Sequence, residues 1–234
     1  MPSKNFTLES GLGITVYKRQ ANRHLRLSIG PSGEVRVSIP RWVPYSAGLE
    51  FAKTREAWIR EQYRPANPLR HGQAVGKGHH LQFVAKPNLA KASSRVRGTD
   101  VFISYPAGAD PASPPIQKVA QEASIRSLRL QAEQLLPQRL AALADRHGFK
   151  YKSVTVKRLK SRWGSCDQQT DIVLNLFLMQ LPWELIDYVL LHELTHTRIL
   201  RHGADFWRAL RTVSPEAPAL KQRLREYQPV LLAE

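Results

Sequence analysis

Hydrophobic and polar positions alternate most clearly from Arg23 to Ile29, where Leu25, Leu27 and Ile29 share one face, and again where Val35, Val37 and Ile39 do. A period of two predicts half-buried strands, and Gly30-Pro31-Ser32-Gly33 between them predicts a hairpin turn. The period then lengthens. From Ser46 to Tyr63 the residues Phe51, Ala52, Trp58, Ile59 and Tyr63 form one helical stripe, which Pro65 and Pro68 terminate. His80–Ala85 and Val101–Tyr105 predict further strands, separated by a polar, basic loop. Residues 106–115, PAGADPASPP, are the best linker candidate, so the expected parts are 1–112 and 113–234.

Beyond the linker, Ile116 to Leu136 carries helical periodicity through Val119, Ala123, Leu128, Ala132 and Leu135. Pro137 predicts a kink or the first position of a second helix, and Gly148 ends that element. Val154–Val156 and Ile172–Leu174 read as short strands, and Pro182 opens a helix running to about Leu200. Two short helices, near Phe206–Val213 and Ala217–Tyr227, close the chain. No internal repeat is visible. The fold class expected is α+β: an antiparallel, strand-rich N-terminal part with one helix, then a mostly helical part with a small sheet.

Charge adds a partner class. The 234 residues include 35 Lys and Arg against 19 Asp and Glu, a formal net charge of +16. Such a chain attracts something anionic, whether nucleic acid, nucleotide, phosphate or an acidic protein surface. Its densest stretch, Lys150 to Arg162, holds six cations and no acid, a pattern that also suits a solvated strand edge. No zinc-finger spacing, RNA-binding aromatic signature or Gly-rich phosphate loop accompanies the charge. The single cysteine, Cys166, excludes an intramolecular disulfide and fits a reducing compartment. No N-terminal apolar segment marks the chain for export. The longest apolar runs fall far short of the roughly 20 residues that a membrane span needs. The expected location is cytoplasmic, with no membrane partner.

The helix after Pro182 contains His192-Glu193-Leu194-Thr195-His196, the H-E-x-x-H arrangement. Residues four apart lie one above the other, so both imidazoles reach one metal ion. Glu193, offset by about 100°, is left to flank a metal-bound water and accept its proton. Leu185, Val189, His192 and His196 share one stripe, and Ile186, Leu190, Leu191 and Leu194 make most of the circumference apolar. Such a helix is central and buried, where two histidines and a glutamate are costly unless they bind something. Catalytic zinc takes three protein ligands, and His202, beside Gly203, is the preferred third. Asp205, Glu216 and Glu226 compete for that position. His79 and His80 read as exposed, His24, His71 and His147 lack partners at ligand spacing, and Cys166 reads as structural.

The segments Lys160–Cys166, Ile172-Val173-Leu174-Asn175, Ile186-Asp187-Tyr188-Val189 and HELTHTRILRHGADFW (192–207) resemble the YgjP-like metallopeptidase family. Those proteins are zincin-type and related to the WLM and SprT-like groups. The resemblance is specific over about 157–210, and the N-terminal hairpin and the helix ending in Trp58-Ile59-Arg60 fit the same layout. It implies a zincin-like catalytic part over 113–234, with His192, His196 and His202 as zinc ligands and Glu193 as general base. It further implies a peptide-pairing strand at Ile172–Leu176, with substrate contacts from Asn175 and from Arg162, the latter at an oxyanion or other anionic group.

The leading expectation is therefore a zinc-dependent hydrolase, a metallopeptidase using a zinc-bound water activated by Glu193. Its substrate is expected to be a polypeptide or an anionic, nucleotide- or nucleic-acid-associated molecule. A second reading keeps the metal and directs it at the phosphoanhydride of a nucleoside triphosphate, with Arg162, Arg198 or Arg201 holding phosphates. A third is a nucleic-acid-binding module with a structural metal, which would require a fourth protein ligand.

Overall fold

A computed structural model describes residues 2–8, 12–20, 22–29, 35–62 and 68–231. The chain divides into two compact units, Met1–Asn67 and Pro68–Glu234. In the first, β1 (Ser3–Thr7), β2 (Gly13–Arg19), β3 (Arg26–Ile29) and β4 (Val35–Pro40) form a sheet of order β1-β2-β4-β3. Strands β3 and β4 pair antiparallel as the alternation predicts, while the turn 30–34 lies outside the described residues. Ile14, Val16, Val35, Val37 and Ile39 point inward against α1 (Tyr45–Lys53) and α2 (Glu56–Gln62), where Ala52 and Ile59 are buried. The single helix expected over 46–63 is thus broken at Thr54 and Arg55. Gly48 lets α1 approach the sheet, since a Cβ there would lie 2.5 Å from a methyl of Val16.

The second unit opens with β5 (Ala74–Val75), β6 (His79–Lys86), β7 (Ser93–Arg97) and β8 (Asp100–Pro106), in the order β5-β6-β8-β7. This repeats the topology of the first sheet, with a parallel pair between two antiparallel ones, although the sequence shows no repeat. The class is α+β, but the sheets are mixed, not antiparallel throughout. The boundary also differs from the one the Pro-rich stretch suggests. Residues 106–115 are a hydrogen-bonded connection inside the second unit, with Ala107 N–H donating to Lys86 O, Ser113 N–H to Asp110 O and Gln117 Nε2 to Pro111 O. The reason lies in the core, because Leu81, Val101 and Ile103 share one apolar cluster with Ile116, Ala120, Ala123 and Leu128.

Helix α3 runs unbroken from Pro114 to His147 and ends at Gly148 in the left-handed region (φ 66°). Pro137 sits inside it and forfeits one backbone hydrogen bond. Buried Leu136 and Leu140 on either side anchor both halves to the core. Against α3 pack a three-stranded sheet and a short 3₁₀ turn (Leu176–Gln180). That sheet comprises β9 (Ser153–Lys157), β10 (Gly164–Cys166) and β11 (Asp171–Asn175), in the order β10-β11-β9. Helix α4 (Trp183–His196) is enclosed by α3, β10, α5 (Ala204–Val213) and α6 (Ala217–Leu224). It ends at His196, four residues short of the expected Leu200, with Thr197 as C-cap.

Buried Gln131 on α3 ties the β5–β6 hairpin to the core: its Nε2 donates to Val75 O (2.9 Å) and its Oε1 accepts from Lys77 N–H (2.6 Å). Gln131→Leu removes both bonds and leaves two backbone groups without them. It is expected to lower the unfolding free energy by about 1–3 kcal/mol in a denaturant titration.

Candidate metal centre

Helix α4 is buried along nearly all its length, with Leu185, Ile186, Leu190 and Leu194 fully enclosed. Within this apolar surround His192 and His196 present their Nε2 atoms 3.2 Å apart. The chain leaves the helix at Thr197 and returns through His202, whose Nε2 lies 3.0 Å from each of the other two. A tetrahedral ion about 2.0–2.1 Å from three nitrogens would hold them about 3.3–3.4 Å apart, so the observed triangle is within a few tenths of that spacing. The sequence candidates Asp205, Glu216 and Glu226 are not in this group. Asp205 is instead paired with Arg208 at 3.0 Å.

Each imidazole is held in place. His196 Nδ1 lies 3.1 Å from Ile199 O, so an Nδ1–H donating there leaves the Nε2 lone pair free for a metal. Fully buried Phe206 forms an apolar floor, its ring centroid 4.5–4.9 Å from all three imidazoles. Trp207 stacks on His202 at 5.6 Å and 26°, and its Nε1–H donates to His202 O at 3.2 Å. Lys221 on α6 sits over the outer aromatic, its Nζ 3.9 Å from the Trp207 centroid. His192 Nδ1 alone is buried without a hydrogen-bond partner among the described residues.

Burial sets the protonation states. Desolvation, reinforced by His196, His202 and Lys221, pushes the His192 pKa down to about 3, and desolvation also lowers that of His196. Both rings are therefore neutral near pH 7, the form that ligates a metal. Desolvation pushes Glu193 the other way, up to about 8, with Arg162 acting against the rise. A carboxyl so placed needs a nearby positive charge to ionise fully at neutral pH. The donor chemistry and the buried acid beside it both fit a divalent cation.

Gly164 faces Glu193 from β10. A Cβ at this glycine would come within 2.7 Å of Glu193 Oε1 and 2.8 Å of its Cγ, so the carboxylate occupies the space that only glycine leaves. Nothing local in the sequence signals this contact, since Gly164 and Glu193 are 29 residues apart. Phe206 and Trp207, which the sequence places only within a short helix, follow His202 by four and five residues and could have been found by that spacing.

Three expectations change. Asn175 is fully buried and spends its side chain on the fold, its amide donating to Leu159 O (2.9 Å) and Arg162 O (2.8 Å) and accepting from Phe177 N–H. The strand Ile172–Leu176 does not offer a pairing edge, since β11 lies between β9 and β10 with both sides bonded. The strand at the sheet edge beside α4 is β10. Arg198, one proposed phosphate holder, donates to Gly148 O and covers the Phe149 ring. Arg162, by contrast, is exposed, while Asp187 is engaged with Arg139 and Asp167 with backbone amides. Cys166 is half-buried with its thiol pushed up to about 11, which suits packing and not nucleophilic chemistry.

Residues 23–227 match the family model described as the YgjP-like metallopeptidase domain. The chain belongs to the YgjP-like metallopeptidase family. No curated protein matches it. Among solved structures it is similar to the metallopeptidase zymogen abylysin of Pyrococcus abyssi, at 26% identity over 39% of this chain and 93% of that one, with a TM-score of 0.36. In this YgjP-like chain, no helix among the described residues is long and apolar enough to cross a membrane.

Two measurements follow from this geometry. Gly164→Ala is expected to displace the Glu193 carboxylate and reduce hydrolytic activity at least about tenfold, while metal content by elemental analysis stays at the wild-type level. In metal-free protein, the unfolded chain protonates His192 near pH 6.5 and the folded chain only near 3, so stability falls on acidification through that window. Glu193 acts oppositely, keeping its proton in the folded state up to about 8 but losing it near 4.5 when unfolded, so stability falls as pH rises between those values. Urea midpoints of metal-free protein are expected to be flattest between about pH 4.5 and 6.5, where the two slopes oppose each other. Glu193→Gln is expected to remove the alkaline decline.

Proposed function

We propose that this protein is a zinc-dependent metallopeptidase with His192, His196 and His202 as the ligands and Glu193 as the general base and acid. The observation that carries this reading is the convergence of three imidazole nitrogens, 3.0–3.2 Å apart, two of them on the helix that carries a buried carboxyl between them. The ion, when bound, would supply Lewis-acid polarisation of the scissile carbonyl and acidify the attacking water. Three ligands, with no fourth side chain in the cluster among the described residues, favour this over a closed structural site.

The remaining work belongs to the chain itself. Glu193 accepts the proton of the attacking water and returns it to the departing amine nitrogen. Its raised proton affinity, checked by Arg162, suits a group that must first take a proton and then deliver it near neutral pH. Gly164 fixes where that carboxylate sits. Beside it, β10 pairs only with β11 among the described residues, and its other edge supports binding of an extended polypeptide by added-strand hydrogen bonds. Phe206 excludes water from beneath the imidazoles, and Trp207 holds His202 at its carbonyl and its ring face.

The test uses two variants of the full chain. Glu193→Gln is expected to retain about one zinc per chain and lose about 10²–10⁴-fold in turnover of an unstructured polypeptide. His196→Ala is expected to lose both metal and activity. Full activity in the Glu193 variant, or wild-type zinc content in the His196 variant, would overturn the assignment.

A further inference from the structure

Two cations reach the cluster from separate elements, and neither has an ion-pair partner among the described residues. Arg162 is exposed and immediately precedes Trp163 and β10, and its carbonyl is fixed by Asn175 Nδ2 at 2.8 Å. Gly164, two residues on, is the residue against which Glu193 packs. Lys221 is half-buried on α6, its ammonium over the Trp207 ring that stacks on His202 and lies 6.1 Å from His192. Of the acids on α4 and α5, Asp187 is paired with Arg139, Glu184 with Arg223 and Asp205 with Arg208.

We infer that Arg162 and Lys221 select substrate charge, and that the polypeptide cut here carries a carboxylate side chain within about two residues of the scissile bond. The inference rests on the metallopeptidase reading and names its substrate class. A peptide added along the free edge of β10 advances about 3.3 Å per residue, so the stretch of chain passing Arg162 lies about two residues from the one beside Glu193. A guanidinium with no intramolecular partner presents a planar fork that a carboxylate matches in two hydrogen bonds. Substrate approach would benefit as well, because a basic site concentrates acidic chains by long-range attraction. The +16 net charge acts in the same sense.

The test compares three internally quenched peptides of equal length whose residues flanking the bond are Glu, Gln or Lys, with a nucleoside triphosphate as a parallel substrate. Cleavage is measured with the zinc-loaded full chain, and binding with zinc-loaded Glu193→Gln by fluorescence anisotropy. The acidic peptide is expected to bind and be cut about five- to tenfold better than the neutral one. That preference should shrink toward unity at about 1 M salt, where the screening length is about 3 Å. Arg162→Gln and Lys221→Gln should each reduce the ratio of acidic to neutral turnover, and together abolish it. Cleavage of all three peptides at equal rates would overturn this inference and leave the peptidase reading intact. Equal binding of the three to Glu193→Gln would overturn it whether or not any peptide is cut. Glu193-dependent hydrolysis of the triphosphate with no peptide cleaved would overturn both.

Discussion

The structure depends on burying helix α4 while it carries two imidazoles and a carboxyl. An apolar helix of this kind is held in the middle of the unit by dispersion and desolvation, with α3, β10, α5 and α6 around it. Polar groups inside such a shell lose hydration and must be repaid by other contacts. The shell meets this demand by gathering them. The histidines turn toward one another and toward His202, and the carboxyl is seated against a residue with no side chain. The three imidazoles thereby form one polar cluster whose donors suit a cation.

The protein around the cluster is differentiated by side. Beneath the imidazoles is hydrocarbon and aromatic carbon, chiefly Phe206, which packs against all three rings. Toward β10 the surroundings become peptide backbone, with Gly164 admitting the carboxylate and Asn175 bracing the loop that carries Arg162. Toward α6 the aromatic Trp207 intervenes between His202 and the Lys221 ammonium, so that this positive charge stacks on a ring face and not on a ligand. The same low-polarity environment lowers the proton affinity of His192 and His196 and raises that of Glu193.

Much of this was legible in the sequence because helical spacing is a local property. His192, Glu193 and His196 are placed by four residues of regular geometry, and His202 by a short excursion beyond the helix end. Alternation gave β3, β4, β6 and β8 for the same reason. What escaped depends on contacts distant in sequence. The family resemblance implies a substrate contact for Asn175, yet its amide is consumed by carbonyls 13 and 16 residues earlier. The order β10-β11-β9 could not be read from strand periodicity, and it decides which strand has a free edge. The Pro-rich stretch 106–115 resembled a linker by composition, whereas the buried faces of β6, β8 and α3 join one core across it. Pro137 resembled a helix boundary, but packing on both sides outweighs the hydrogen bond it omits.

The position of His202 has a consequence for how metal and chain order are linked. An ion joining His196 to His202 would close only residues 197–201, and the entropy lost on closing so short a loop is small and grows only logarithmically with length. That loop is already drawn in by Phe206 and Trp207, and the apolar cluster beneath it does not pass through the ligands. Coordination energy would then not be consumed in ordering the chain, unlike in small domains that fold only around zinc. A centre built this way would let a metal enter and leave without dissolving the fold around it.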